Sequence, residues 1–440
     1  MTGLDRTRPA PPVRIVHLGL GAFSRSHTAW YTHAADDADD WGIAAYTGSS
    51  TRLPRALAAQ DGVYTLVERD ADGDRAELIE SVVRAHAGGD VEAMLDDIAA
   101  PETAVVTLTM TEAAYDLDLD DPRRAADMAA LAGGPGAPVT GPGRLLAGLE
   151  ARRRAGSGPL TLLSCDNLPD NGHRLEGTLI GWARELPDGL AEWIAENIAF
   201  ASSSVDRITP SIGEEELSAL SSRYDDRVPV VAEPFRDWVI SGEFPAGRPR
   251  WESAGARIVD DLAPWEARKL WLLNGAHTLL ANLGSLRGHE TVAEAIADPV
   301  CREAVDALWD EAERNLSPDL DIANYRASLL RRFANPRIVH ELRQIARDTP
   351  LKLGVRVAPV ALRELEEGRS AAACALAFAA WLAVEGVAPD DAIAAISRVS
   401  PELAADGGFV AAARERLADH DPDTGSESNG NRLTINPTAD

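Results

Sequence analysis

Lysine is almost missing from this chain of 440 residues, because only Lys269 and Lys352 among its 43 basic side chains are lysine. Basic groups are also outnumbered, since 70 aspartates and glutamates bring the formal net charge to −27. Duplex DNA or an anionic membrane surface would be repelled by such a protein. We therefore exclude nucleic-acid and membrane-surface binding and expect a small molecule as the partner.

Cysteine is scarce as well, and the three residues Cys165, Cys301 and Cys374 form no closely spaced pair. Neither a disulfide framework nor a cysteine-rich zinc site is predicted. The nine histidines are scattered without an HxxxH pair, so we expect no bound metal. The N-terminal residues lack the apolar segment of a signal peptide, and we expect a reducing, cytoplasmic location.

The chain also lacks long hydrophobic runs. One uncharged apolar stretch, SAAACALAFAAWLAV at residues 370–384, is too short and too rich in alanine to span a bilayer. We interpret it as a buried helix.

What is present is an alternation of strand and helix patterns through the first 260 residues. Residues 13–23, VRIVHLGLGAF, predict a strand that ends in a glycine turn and leads into a helix. The repeated alternation predicts an α/β fold with a doubly wound, largely parallel sheet of the Rossmann type. GVYTLVERD and AELIESVVRAH, at residues 62–70 and 76–86, predict two strands of a hairpin.

The pattern changes near residue 260, after which nearly every segment predicts a helix. We therefore expect an α/β domain at residues 1–260, with a flexible arm at 1–12, and a mostly α-helical C-terminal domain at residues 261–420. Residues 421–440 lack a core-forming pattern, and we expect them to be disordered.

The glycine turn at residues 19–24, GLGAFS, contains part of a dinucleotide-binding fingerprint. Gly19 would permit the tight turn, and Gly21 would let the backbone approach a pyrophosphate. Ser24 replaces the third glycine, so a plain glycine turn stays an alternative. The second strand ends in TGSSTR without a ribose-binding carboxylate, and its hydroxyls and Arg52 are compatible with a 2′-phosphate. NAD and NADP therefore both stay open.

The segment EARKLWLLNGAH, residues 266–277, places a lysine inside a leucine-rich helix. On an ideal α-helix, Asn274 lies about 140°, His277 about 80° and Glu266 about 60° from Lys269. Four polar groups on one arc predict a polar cavity. Arginine does not release its proton in a protein whereas a desolvated lysine can, so Lys269 is a candidate general acid–base. A lysine that merely reaches solvent from a core helix is the alternative.

Two more polar groups follow predicted strands. Asn167 comes directly after the strand LTLLSCD, where open α/β sheets bind ligands, and its amide can donate to an alkoxide. An Asx turn before Pro169 is the alternative. Asp206 and Arg207 lie within VDRITP, and they form either a structural ion pair or a pair of site residues.

Five motifs follow one another along the chain. They are GLGAF at 19–23, TLTMTEAAY at 107–115, SCDNLPDNG at 164–172, VDRITP at 205–210 and EARKLWLLNGAH at 266–277. In this combination the chain resembles the polyol-specific long-chain dehydrogenases over about residues 13–360. The resemblance implies a metal-independent, NAD(P)-dependent secondary alcohol dehydrogenase. Residues 1–260 would then be a Rossmann-type NAD(P)-binding domain, and the helical domain at residues 261–420 would carry the substrate and catalytic groups. It also implies a monomer or a weak homo-oligomer.

The resemblance further implies roles for single residues. Lys269 would be the general acid–base, Asn167 and Asn274 would bind the alkoxide, Glu266 would relay protons and His277 would contact the substrate. Other substrate contacts would come from Asp206, Lys352 and Arg343. The cofactor would bind along Gly19, Gly21, Ala22, Phe23, Arg25, Thr111, Glu112 and Asn167.

The implied reaction interconverts a sugar alcohol and a ketose, and D-mannitol with D-fructose is our first prediction. The segment near Lys352 departs from the family, since Gln344 stands where relatives that take mannitol have arginine. An aldonate–uronate pair, D-mannonate and D-fructuronate, is therefore a second prediction, with Arg343, Arg347 or Arg356 available for the carboxylate. A nucleotide-binding sensor that has lost catalysis is the alternative from another functional class.

Overall fold

The chain forms two compact units, and the boundary between them lies within one helix, after Glu266. The structure is a computed structural model that describes residues 4–110, 117, 120–187 and 189–418. The first unit is Met1–Glu266 and the second is Ala267–Asp440. The change of sequence pattern near residue 260 falls shortly before this division.

The strands of the first unit form two sheets, one of eight strands in the order β11-β10-β8-β7-β6-β1-β2-β5 and one of three in the order β4-β3-β9. Their bounds are β1 Val13–Leu18, β2 Gly42–Tyr46, β3 Tyr64–Asp70, β4 Gly73–Ile79, β5 Val82–His86, β6 Val105–Leu108, β7 Leu160–Ser164, β8 Ile198–Asp206, β9 Val230–Ala232, β10 Asp237–Ser241 and β11 Arg257–Ile258.

The helices of the first unit surround these sheets. They are α1 Ala22–Ser26, α2 Thr28–Ala34, α3 Arg52–Ala58, α4 Val91–Ala99, α5 Pro122–Leu131, α6 Gly141–Ala155, α7 Asn171–Ala183, α8 Leu190–Asn197, α9 Glu214–Tyr224 and α10 Ala263–Arg268, whose last two residues belong to the second unit.

The large sheet is doubly wound, as the sequence predicts. β1 pairs in parallel with β2 on one side and with β6 on the other, and the chain moves outward from β1 in both directions. Alternate side chains of β1 enter different cores, Ile15 on one face and Val16 on the other. Both faces are covered, which explains why these strands are apolar throughout. The reversal between β1 and β6 is the topological switch point where such sheets bind ligands.

One predicted hairpin strand is divided in the structure. β4 pairs antiparallel with β3, as expected, but it ends at Ile79. The chain then leaves this sheet, and β5 pairs in parallel with β2 in the large sheet. The prediction that residues 76–86 form one strand was therefore wrong, because Glu80 and Ser81 separate two strands with different partners.

The segment predicted to be an arm makes specific contacts where it is described. The backbone N–H and hydroxyl of Thr7 donate to the Glu80 carboxylate over 2.6 and 2.9 Å. Arg6 donates to the carbonyl of Glu80 over 2.6 Å and pairs with Asp61 over 3.0 Å. These bonds hold this part of the segment against the connection between β4 and β5.

The regular elements described in the second unit are helices, and an isolated bridge joins Thr291 and Glu341. A π-helical turn, Lys269–Asn274, comes first. It is followed by α11 Gly275–Leu286, α12 Val292–Ala297, α13 Pro299–Glu313, α14 Ile322–Phe333, α15 Leu342–Ile345, α16 Thr349–Arg356, α17 Ala358–Glu366, α18 Ala372–Val384, α19 Ala392–Val399, α20 Pro401–Ala405 and α21 Gly407–Ala418.

Helix α18 lies at the centre of the second unit and packs against α11, α13 and α21. Its alanine-rich surface is apolar all round, which is typical of a helix buried in a core. The interpretation of residues 370–384 as a buried helix is thus confirmed. None of the helices among the described residues has the length and apolar composition needed to cross a membrane.

Candidate active site

A cleft of about 670 Å³ opens in the first unit, where β1, β2 and β6 end. Its walls include Gly19, Gly48, Ser49, Thr109 and Arg144. None of the described residues that line it is acidic. The cleft therefore lies at the topological switch point and is lined by glycine, hydroxyl and guanidinium groups, a combination suited to a phosphorylated ligand.

The glycine turn forms one wall of this cleft. Gly19 has a φ of +110°, and a Cβ atom there would lie 2.1 Å from the carbonyl oxygen of Thr109. Its N–H donates to the Tyr46 carbonyl over 2.8 Å, and the Thr109 hydroxyl donates to its carbonyl over 2.8 Å. Gly21 is open instead, since a Cβ there would meet only the Gly19 oxygen, at 3.7 Å. The first glycine is therefore needed by the fold, and the second leaves room beside the backbone for a ligand.

Ser24 has a structural role in the turn, where a third glycine was expected. Its hydroxyl accepts a hydrogen bond from the Gly21 N–H over 3.0 Å. This bond caps the N-terminus of α1, whose first two residues are Ala22 and Phe23. Arg25, predicted to bind cofactor, is buried and donates to the carbonyls of Gly21 and Val228. Its guanidinium is therefore used to hold the turn.

Thr111 and Glu112, also predicted to bind cofactor, lie outside the described residues.

A buried histidine, His17, contacts two threonine hydroxyls beside the same turn. His17 Nδ1 lies 2.9 Å from the Thr107 hydroxyl, and its Nε2 lies 3.3 Å from the Thr109 hydroxyl that bonds Gly19. Burial is the main cause that lowers the pKa of His17 from 6.5 to about 4. His17 is therefore neutral in the folded protein at physiological pH.

This neutral histidine should make the protein sensitive to acid. The unfolded chain binds the proton at about pH 6.5 and the folded chain only at about pH 4. Stability is therefore complete above pH 6.5 and is lost as the pH falls toward 4, by about 3 kcal/mol for this group. We expect His17→Gln to unfold at a lower temperature at pH 7 but to lose less stability between pH 7 and pH 4.5. If the melting temperatures of the wild-type protein and of His17→Gln fell by the same amount between pH 7 and pH 4.5, this assignment would be contradicted.

Other predicted residues of the first unit follow strands. Asn167 lies exposed just after β7, in a turn held by Asp166, whose carboxylate accepts from the Ser164 hydroxyl over 2.8 Å. Asp206 is the buried last residue of β8. Arg207 pairs with Glu68 over 2.6 Å, so this arginine belongs to a structural ion pair.

Glu266, on α10, accepts a hydrogen bond from the Asp170 N–H over 3.0 Å.

In the second unit, the predicted lysine helix has a π-helical turn. The Gly275 N–H donates to the carbonyl of Leu270, five residues earlier, which is the hydrogen bond of a π-helix. The expected separation of 140° between Lys269 and Asn274 was therefore wrong, because it assumed α-helical geometry. A π-helical turn contains more residues, so these two half-buried side chains lie closer to one face. Trp309 Nε1 donates to the Leu272 carbonyl over 2.7 Å and holds the turn.

His277 follows one turn later, on α11, and is 7% exposed. Its ring lies 4.8 Å from the Phe333 ring and 4.9 Å from the His340 ring. Burial, with His340, Arg332 and Arg356 nearby, holds the pKa of His277 well below its usual range. Within the described part of the chain, its buried Nε2 has no hydrogen-bond partner. This buried ring nitrogen therefore has hydrogen-bonding capacity that the described residues leave unused.

The cations predicted near the substrate differ in their surroundings. Arg356 donates to the Thr278 hydroxyl over 3.1 Å, and burial lowers its pKa to about 10. Lys352 Nζ donates to the carbonyl of Ile345 over 2.8 Å. Arg343 is 83% exposed and pairs with Glu341. The structure thus groups Arg356 with Asn274 and His277 but leaves Arg343 at the surface.

One cluster of possible metal ligands was not predicted from the sequence. His289, Asp298 and Cys301 place their ligand atoms within 4.8 Å of one another. The Asp298 carboxylate, however, already accepts from Arg287 over 2.6 Å, from His289 over 2.9 Å and from the Val300 N–H over 2.9 Å. These bonds cap the start of α13, and we interpret the cluster as structural.

The comparison with known families agrees with both units. The profile of the mannitol dehydrogenase Rossmann domain matches residues 13–253, and that of the mannitol dehydrogenase C-terminal domain matches residues 261–395. The chain belongs to the mannitol dehydrogenase family. The predicted family and the predicted fold, a Rossmann-type domain followed by a helical one, are confirmed. The protein is accordingly an oxidoreductase of the alcohol dehydrogenase type.

Individual family members are similar over most of the chain. D-mannonate oxidoreductase of Escherichia coli is 37% identical over 89% of this chain and 83% of its own. Mannitol 2-dehydrogenase of Cereibacter sphaeroides is 37% identical over 76% of this chain and 72% of its own. The structure of Pseudomonas fluorescens mannitol 2-dehydrogenase, a ternary complex with NAD and D-mannitol, is 30% identical, with a TM-score of 0.77 over 94% of both chains.

Proposed function

We propose that this protein uses a nicotinamide cofactor to interconvert a sugar alcohol and a ketose without a metal ion. D-mannitol and D-fructose are the first pair to assay. The observation that carries the proposal is the π-helical turn, which places Lys269 and Asn274 near one face of a leucine-rich helix. His277, whose pKa is lowered by burial and whose Nε2 has no hydrogen-bond partner among the described residues, lies one turn away. Lysine can supply the proton acceptor, and amide and imidazole groups can supply the hydrogen bonds, that oxidation of an alcohol needs.

The cleft of the first unit fits the cofactor. Gly21 has open space beside its backbone, and hydroxyl and guanidinium groups line the wall. Gly19, Gly21, Ser49 and Arg144 would hold the dinucleotide. When bound, the cofactor supplies the hydride acceptor for alcohol oxidation.

Side chains of this protein would handle the proton. Lys269, in its neutral form, would accept the proton of the reacting hydroxyl, a step that arginine cannot perform. The amides of Asn167 and Asn274 would donate hydrogen bonds to the alkoxide, and Glu266 would pass the proton to solvent. His277 Nε2 would bond a neighbouring hydroxyl of the substrate and orient it. Asp206 and Lys352 would bind further hydroxyls.

A second candidate pair, D-mannonate and D-fructuronate, is favoured by the charges around His277. The ionisable groups that shift the pKa of His277 are His340, Arg332 and Arg356, and all three lower it, as nearby cations do. Arg356 Nε is buried without a hydrogen-bond partner among the described residues. In a chain with a net charge of −27, such a cationic region favours a substrate that carries a carboxylate.

The two candidate pairs are distinguished by comparing D-fructose with D-fructuronate in the direction of reduction, with NADH and with NADPH. For the uronate we expect Arg356→Gln to lower kcat/KM by about 10- to 100-fold, since it removes a charge-assisted contact. For fructose the same variant should change kcat/KM less than about threefold, as expected for loss of an uncharged contact. Glutamine keeps a donor for the Thr278 hydroxyl.

Arg343→Gln is the matched control, because its side chain is exposed and paired with Glu341. It should leave both substrates unchanged. Turnover of fructose alone would exclude the uronate pair. A protein that binds nucleotide but reduces neither ketose, nor any ketose in a wider screen, would favour the sensor and disprove the proposed activity.

A further inference from the structure

The cleft differs from an NAD site at the end of β2. In dinucleotide folds that select NAD, a carboxylate after the second strand accepts hydrogen bonds from the adenosine ribose. Here β2 ends at Tyr46, and Thr47, Gly48 and Ser49 follow it into the cleft wall. A 2′-phosphate would meet no negative charge from the described residues of this wall.

A cation lies next to this corner. Arg144, on α6, lines the same cleft and donates to the Gly48 carbonyl over 3.5 Å and to the Pro138 carbonyl over 3.3 Å. Among the described residues it forms no ion pair. The guanidinium has five N–H donors, so these two long bonds leave donors for a ligand.

The surroundings of Arg144 favour an anion as that ligand. Its half-buried position lowers its pKa, and Asp127 is the acidic neighbour that opposes this shift. The Asp127 carboxylate already accepts from the N–H groups of Val139 and Thr140 over 2.7 and 3.0 Å. Arg123, the other arginine of the cleft, is 62% exposed and pairs with Asp121 over 2.7 Å. Of the two arginines that line the cleft, Arg144 is therefore the one better placed to bind a phosphate at the end of β2.

We propose that the protein selects NADP(H) over NAD(H), with Arg144 and Ser49 binding the 2′-phosphate of the adenosine ribose. The proposal rests on the proposed function in one respect, that the cleft binds a dinucleotide. Arginine presents a planar fork of donors that matches a phosphate, and the serine hydroxyl adds one more donor. An NAD-selective site at this corner would instead typically have a carboxylate for the ribose hydroxyls.

Binding of nucleotide fragments tests this without catalysis. Calorimetry on the full chain would compare adenosine 2′,5′-bisphosphate with adenosine 5′-monophosphate, which lacks the 2′-phosphate. We expect the bisphosphate to bind at least about tenfold more tightly, as is typical of charge-assisted hydrogen bonds. Arg144→Ala should remove most of this preference and change the affinity for the monophosphate less than about threefold.

Two more variants distinguish binding of the 2′-phosphate from a structural role of Arg144. Ser49→Asp, at an exposed position, should reverse the preference by placing a carboxylate at the ribose. Arg154→Ala, on the same helix but 74% exposed and paired with Glu150, should change neither affinity. Equal or tighter binding of the monophosphate by the wild-type protein would overturn the proposal. Equal losses for both fragments in Arg144→Ala would show a structural role only and would overturn it as well.

The result of this binding test does not depend on whether the proposed function is correct. The fragments contain no nicotinamide, so a preference for the bisphosphate would stand even if no sugar alcohol were oxidised. Conversely, an active enzyme with equal affinity for both fragments would keep the proposed function and disprove the inference about Arg144.

Discussion

Replacing Lys269 with alanine should lower kcat by about 10²- to 10⁴-fold, the contribution of a well-placed general acid–base. The affinity for nucleotide should stay the same, because the cleft lies within the first unit and Lys269 belongs to the second. Lys269→Arg should be equally inactive, since arginine keeps the positive charge but does not release a proton. This variant separates loss of a proton acceptor from loss of charge.

Kinetics and binding measured on the same preparations would test this expectation. Lys352→Ala is the matched control, because Lys352 is the other lysine and its Nζ bonds backbone carbonyls of its own segment. We expect it to raise KM more than it lowers kcat. Added methylamine should restore part of the activity of Lys269→Ala but not that of Lys269→Arg. Turnover close to that of the wild type in either Lys269 variant would disprove the role of this lysine.

Replacing Gly19 with alanine should destabilise the first unit by about 3 kcal/mol or more. The new methyl group would overlap the Thr109 carbonyl at 2.1 Å, at a φ of +110° that disfavours any side chain. We expect the melting temperature to fall by roughly 5–10 °C. Binding of nucleotide fragments should be lost, because Gly19 and Thr109 both line the cleft.

Gly21→Ala is the matched comparison for this effect. Its methyl group would find open space in the ligand-free protein, so the melting temperature should change by less than about 2 °C. Nucleotide affinity should nevertheless fall, since the added atom occupies the approach of the ligand to the backbone. If both variants melted at the wild-type temperature, the steric argument for Gly19 would fail.

The sequence was sufficient for the parts of the fold that depend on local patterns. The apolar run of β1 and the glycine turn after it predict a Rossmann-type sheet because neighbouring residues carry the signal. The break between β4 and β5 escaped prediction because Ile79 and Val82 lie close together in a segment with one continuous strand pattern but pair with strands of different sheets. Strand partners far away in the sequence decide such a break.

The candidate site shows the same limit. Lys269 and Asn274 were recognised from their residue types, but their relative orientation was wrong because a regular α-helix was assumed. Arg144 was not recognised as a cleft residue, since 96 positions separate it from Gly48. The surface position of Arg343 was also unforeseen, because its exposure depends on how α15 packs.

The π-helical turn changes how the spacing of this motif should be interpreted in other sequences. Lysine and asparagine are five positions apart, a separation that would place them on different sides of an α-helix. The π-helical turn Lys269–Asn274 accommodates the extra residue and brings the two closer to one face. The number of residues in the segment is then as important as their identity. A relative with one residue fewer between the two polar residues would keep their common orientation on a regular α-helix, where positions i and i+4 share one face.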